Sequence, residues 1–150
     1  MNKCNDLELT ILSCLLQKPE LMNNLIVEDK HFQKRKKIWL FMKSFYNKFG
    51  NFDLSLMYSV CKNKYRIIEY ILWILEKDAY TSRFEEYQKQ LIEMYEETKK
   101  EKYISEKIFE AANDLYVKKI SLNEFENELK KIYEKANKIF EKGVDWYVSL

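Results

Sequence analysis

The sequence predicts an all-α protein, a compact helical globule followed by a long antiparallel helical hairpin. Three observations lead there. The 150 residues include only two glycines, Gly50 and Gly143, and one proline, Pro19, whereas a β-rich chain of this size needs many tight turns built on those residues. Apolar residues recur at three- and four-residue spacing along most of the chain, the period of a helix with one buried face. From Ser82 to Gly143 no helix breaker interrupts the pattern. A Ser-x-x-Glu signal at Ser121 divides that stretch into two arms.

Each element has its own signal. Asn5 with Glu8 reads as a capping box opening a helix whose inward set is Leu7, Ile11, Leu12, Leu15 and Leu16. Pro19 suits the first turn of a short second helix, with Leu21, Leu25 and Ile26 inward. Asp29-Lys30-His31-Phe32 reads as a connector anchored by Phe32. A helix is predicted over 34–48, with Ile38, Trp39, Phe41, Met42, Phe45 and Phe49 as its apolar stripe and Gly50 as its stop. Asp53 caps the next helix, whose inward set is Leu54, Leu56, Met57 and Val60. Over 64–78, Ile67, Ile68, Ile71, Leu72, Trp73 and Leu75 make a helix apolar around most of its girth, which predicts a central place in the core.

After Ala79 the character changes. Ser82 with Glu85 reads as a second capping box and Ser121 with Glu124 as a third. Between them Phe84, Tyr87, Leu91, Met94, Ile104, Ile108, Ala111 and Leu115 keep helical spacing, interrupted by polar residues 98–102. Beyond Ser121, Leu122, Phe125, Leu129, Ile132, Ala136 and Ile139 form a coiled-coil-like seam. The predicted organisation is a globule over 1–80, a hairpin over 81–142 and a tail over 143–150. Tyr103, Phe109, Tyr116, Tyr133 and Phe140 lie off the seams. They either wrap the hairpin's own flank or dock a second hairpin. The dimer is favoured, because a lone two-helix hairpin is marginal in water. The tail, with Trp146, Tyr147 and Leu150, either folds back on the core or serves as a docking segment.

Composition narrows the chemistry. The 26 basic and 24 acidic residues leave a net charge of +2, too near balance to pull strongly on nucleic acid or membrane. Cys4, Cys14 and Cys61 are odd in number and form no C-x-x-C pair, which reads as reduced thiols in a cytoplasmic protein. One histidine, His31, with scattered thiols makes a poor metal site. Two isolated glycines cannot build a phosphate loop, and no nucleophile–base set assembles around a single histidine. The expectation is a protein with no catalytic residues, no cofactor and no metal, and with no membrane span. The densest basic run is Lys34-Arg35-Lys36-Lys37. It reads first as a solvated helix start and second as a weak nucleic-acid contact.

The order of these elements resembles the N-terminal domain of the DnaB-type replicative helicases. The resemblance begins at Asp6-Leu7-Glu8 with Ile11-Leu12 and Leu15-Leu16, and continues through Pro19-Glu20-Leu21 and Asp29-Lys30-His31-Phe32. It then takes in Ile38-Trp39 with Met42, Phe52-Asp53-Leu54 with Leu56, Tyr70-Ile71, and Tyr87 with Leu91 and Ile92. Coverage is roughly residues 6–140. Two features depart from the family: Lys36-Lys37 stands where it usually has a histidine-arginine pair, and its glycine pair before the tyrosine-leucine step is missing. The motor domain that follows in the helicases has no counterpart in this sequence. The resemblance therefore implies a stand-alone scaffold domain, such as a phage or mobile element could encode, that binds replicative helicase or primase and modulates helicase loading. It implies pairing of hairpins, hence a dimer or a multiple of dimers. The seam residues Ile104, Ile108, Leu115, Phe125, Leu129 and Ile132 are then the expected interface. The alternatives are a DNA-binding accessory protein, or an N-terminal fragment of a complete helicase. The aromatic tail, where a linker would be polar, leans toward a natural terminus.

Overall fold

A computed structural model describes residues 6–61 and 64–148, with side chains through residue 140. Every regular element among the described residues is helical. The α-helices are α1 (Leu7–Gln17), α2 (Lys36–Phe49), α3 (Leu54–Val60), α4 (Tyr65–Leu75), α5 (Phe84–Tyr116) and α6 (Leu122–Val148). Short 3₁₀ turns cover Pro19–Asn24, Asp29–His31 and Thr81–Arg83. The protein is all-α. It divides into two compact units, Met1–Ile92 and Glu93–Leu150.

The first unit is built around α1. Leu7, Leu9, Ile11, Leu12, Cys14, Leu15 and Leu16 are all buried, so this helix is enclosed on every side. The sequence pattern had assigned the central place to α4, and the structure corrects it. Only Ile68, Ile71 and Ile74 of α4 are buried, while Leu72 and Trp73 stand 47% and 40% exposed. The difference is legible in the polar residues. Those on α1 are short or bonded inward: Ser13 Oγ accepts from Gln17 Nε2 at 3.1 Å and from the Ala79 N–H at 3.3 Å. On α4, Arg66 and Glu69 must stay in water, as must Glu76 just past its end, which pins one face outward. The expected inward set of α3 also shrinks, to Met57; Leu54 and Val60 are exposed and Leu56 is half-buried. Seven residues make only two turns, and a helix that short buries a single line of contact.

Capping follows the physics of free N–H groups more than the Ser-x-x-Glu pattern. Asp6 caps α1, its Oδ1 accepting from the Leu9 N–H at 3.0 Å. Glu8 is buried and accepts from the Lys34 and Arg35 N–H groups at 3.3 and 2.9 Å, ahead of α2. Asn5 lies outside the described residues. At Ser82 a 3₁₀ turn precedes α5, which starts at Phe84, and Glu85 pairs with Lys89 at 3.3 Å rather than closing a box. Gly50 ends α2 at φ +72°, as the sequence suggests, and Asp53 Oδ1 caps α3 by accepting from the Leu56 N–H at 3.1 Å.

The first turns of α5 belong to the globule. Phe84, Leu91 and Ile92 are buried, and Gln88 has no exposed surface. The Gln88 side chain accepts from the Ile26 and Val27 N–H groups at 2.8 and 3.3 Å and donates to the Asn24 carbonyl at 3.2 Å. A boundary after residue 80 misses this clamp. The sole histidine has a related duty: His31 Nδ1 accepts from the Glu28 N–H at 2.8 Å and bolts the turn before Phe32. Phe32 is fully buried and stacks on Trp39, with ring centroids 4.4 Å apart.

The second unit is the hairpin. The α5 arm ends in a Schellman motif: the Lys119 N–H donates to the Asp114 carbonyl at 2.8 Å and the Lys118 N–H to the Leu115 carbonyl at 3.1 Å. Lys118 takes the left-handed conformation, φ +63°, that this motif requires. Ser121 then opens α6 with the predicted capping box. Its N–H donates to Glu124 Oε1 at 2.9 Å, and its Oγ accepts from the Glu124 N–H at 3.2 Å. The backbone of α6 stays helical through Gly143 to Val148, so the helix stop expected at Gly143 is absent. A single helical glycine costs only about 1 kcal/mol. The side chains of Trp146 and Tyr147, and all of Leu150, lie outside the described residues.

Candidate functional site

The hairpin's two arms meet along a thin seam. Ala111, Ile132 and Ala136 are buried, and Tyr103 packs edge-on against Phe140 with centroids 5.8 Å apart. Of the six residues the sequence nominates for the interface, Ile132 is buried, while Ile104, Ile108, Leu115, Phe125 and Leu129 are half-buried. Their partial burial leaves part of each of the five facing outward. The off-seam aromatics split into two groups. Tyr103 and Phe140 cover the hairpin's own flank, whereas Phe109, Tyr116 and Tyr133 are 76%, 85% and 51% exposed.

This exposure follows from spacing. Phe109 and Tyr116 are seven residues apart on one face of α5, and Leu122, Leu129 and Tyr133 follow one another on a face of α6. Two helices in contact cover only the facing stripe of each, so apolar residues a quarter-turn away stay in water unless something else covers them. On another side of the hairpin lies an open groove of about 670 Å³. Its lining mixes Lys107, Lys131 and Lys135 with Glu110, Asp114, Glu124 and Glu128. Opposite signs at that density give a solvated polar surface without preference for a charged ligand.

The basic run before α2 is not one patch. Arg35 is taken up by the globule: its guanidinium bonds the Asp6 carboxylate and donates to Tyr70 Oη at 2.5 Å. Burial pushes the Asp6 carboxyl up, but the Arg35 hydrogen bond, the Leu9 N–H and the nearby charges of Arg35 and Lys34 outweigh it and hold it below the usual carboxylate range. The bond to Asp6 likewise raises Arg35 above its ordinary value, against the opposing effect of burial. Lys34, Lys36 and Lys37 are exposed. Nothing in the run's spacing marks Arg35 as the structural member; the signal is the acidic residue waiting at the start of α1.

Burial pushes the Cys14 thiol up to about 12, so it is a packed hydrophobe rather than a nucleophile. Among the described residues no group of three or more His, Cys, Asp or Glu side chains is arranged to hold a metal ion. Nor is any helix there long and apolar enough to cross a membrane. No family model, curated protein or solved structure matches the chain.

Proposed function

We propose that the chain is a non-enzymatic interaction module in DNA replication. Its hairpin flank pairs with a second copy, and the assembly binds a DnaB-type replicative helicase or primase to alter helicase loading or activity. The observation that carries the reading is the uncovered flank of Phe109, Tyr116 and Tyr133 on an otherwise thin two-helix seam. Buried aromatics remove about 150–250 Å² each from water. Three of them, with Leu122 on the same face of α6 as Tyr133, reach much of the roughly 800 Å² that one partner contributes to a standard interface. The replication context rests on the resemblance, namely the ordered short motifs from Asp6-Leu7-Glu8 onward and a globule followed by a hairpin.

The test is co-elution of the purified chain with a DnaB-type helicase hexamer and, separately, with primase. A stable complex with either one is the expected result. Failure to bind both would remove the replication reading and leave a protein that only self-associates.

A further inference from the structure

A second surface lies on the first unit and owes nothing to the hairpin. Along α4, Arg66, Tyr70 and Trp73 recur at spacings of four and three, which places them on one face, and Lys77 follows in the turn just past the helix end. The Trp73 ring carries two cations, with Lys77 Nζ 4.2 Å and Arg35 Cζ 5.5 Å from its centroid, and the Tyr70 ring lies 5.7 Å away. Arg35 is fixed by Asp6, by Tyr70 and by its backbone bond to Glu8, so it orients the aromatic pair rather than reaching outward. Lys34, close enough to act on the Asp6 carboxyl, is exposed, as are Lys37 and Arg66.

Shielding of the Arg35–Asp6 pair explains Tyr70, which is half-buried. It does not explain an indole left 40% in water with cations around it. Glu69, four residues before Trp73 on α4, and Glu76, just past the helix end, flank the indole on the side away from Tyr70. An aromatic plane set among cations is the arrangement that holds unpaired nucleotides: bases stack, phosphates meet the cations, and no base edge needs to be read.

We infer that this surface binds single-stranded nucleic acid. An unpaired base stacks on Trp73 in place of the Lys77 ammonium, which swings out to meet the adjoining phosphates together with Arg66 and Lys34. A duplex hides its base faces and fits the surface less well. The inference does not depend on the helicase or primase reading, since it concerns another unit and another ligand.

The experiment is fluorescence anisotropy of a labelled oligo-dT strand of about 15 nucleotides, titrated with the whole chain from low to physiological salt. The expected result is binding that weakens steadily with salt, with a same-length duplex bound more weakly. Trp73→Ala lowers affinity roughly 5- to 150-fold and Trp73→Phe keeps most of it. Lys77→Ala and Lys34→Ala each flatten the slope of log K against log salt by about 0.7. Circular dichroism checks that Trp73→Ala is folded, and the two lysine variants carry the test if it is not. The inference is overturned by no binding at low salt, by affinity unchanged in Trp73→Ala, or by slopes unchanged in both lysine variants. Competition by duplex or polyglutamate as effective as by oligo-dT also overturns it, because it would show a generic polyanion surface or one suited to an acidic peptide.

Discussion

Replacing Gln88 with leucine tests how the start of α5 is tied to the globule. The leucine fills similar volume and keeps helix propensity, but it removes one acceptor and one donor. The Val27 N–H is buried and loses its 3.3 Å partner, and the part-buried Ile26 N–H loses its 2.8 Å partner. Each buried donor left unsatisfied costs about 1–3 kcal/mol. The Asn24 carbonyl belongs to an exposed residue and can turn to water at little cost. The added apolar contact returns about 1 kcal/mol. The net expectation is a loss of roughly 3 kcal/mol, or roughly 10 °C in Tm for a chain of this size. Urea unfolding followed by circular dichroism measures it, with hydrogen exchange at Ile26 and Val27 as the local readout. A Gln88→Leu protein within about 0.5 kcal/mol of wild type, with an unchanged m-value, would refute the clamp.

Three further outcomes follow from the same geometry. Asp6 has a depressed folded-state pKa, so its stabilisation is present above the unfolded value near 3.9 and is lost as pH falls through the folded value. Asp6→Asn, which keeps a capping side chain, should therefore lower the urea midpoint at pH 7 by an amount equivalent to about 1 kcal/mol for this partly exposed pair. The gap should begin to narrow below about pH 4 and close as pH falls through the folded value. Cys14, with its thiol pushed up to about 12, should react with Ellman's reagent at pH 8 only as fast as the protein unfolds, and peptide mapping of the labelled chain reads this directly. Lys118→Gly relieves a left-handed residue at the hairpin turn and should raise hairpin stability by about 1 kcal/mol in thermal unfolding.

Much of the fold could be read from breakers and caps. Gly50, Asp53 and the Ser121–Glu124 box all work where the spacing places them. The errors share one cause. Hydrophobic periodicity reports which faces are apolar, but it does not report what covers them. Thus α4 reads as central because Leu72 and Trp73 are apolar, yet both are exposed, and α1 takes the centre. Polar residues that work over long range were invisible for the same reason. Glu8 holds the approach to α2 26 and 27 residues away, and Gln88 grips a segment more than 60 residues back. Arg35 looks like one of four equivalent cations until Asp6, Tyr70 and Trp73 gather around it. The candidate flank was legible as off-seam aromatics; the structure divides them, turning Tyr103 and Phe140 inward and leaving Phe109, Tyr116 and Tyr133 in water.

The central claim is that the hairpin flank is an interface, and light scattering of the purified chain tests it most directly. The account predicts a mass of twice the 18.4 kDa protomer or a multiple of that. It also predicts collapse to the protomer mass in Leu129→Asp, where a charge enters the half-buried seam beside the exposed aromatics. A wild-type protein that stays at 18.4 kDa across micromolar concentrations, or a Leu129→Asp protein whose assembly is unchanged, would contradict it.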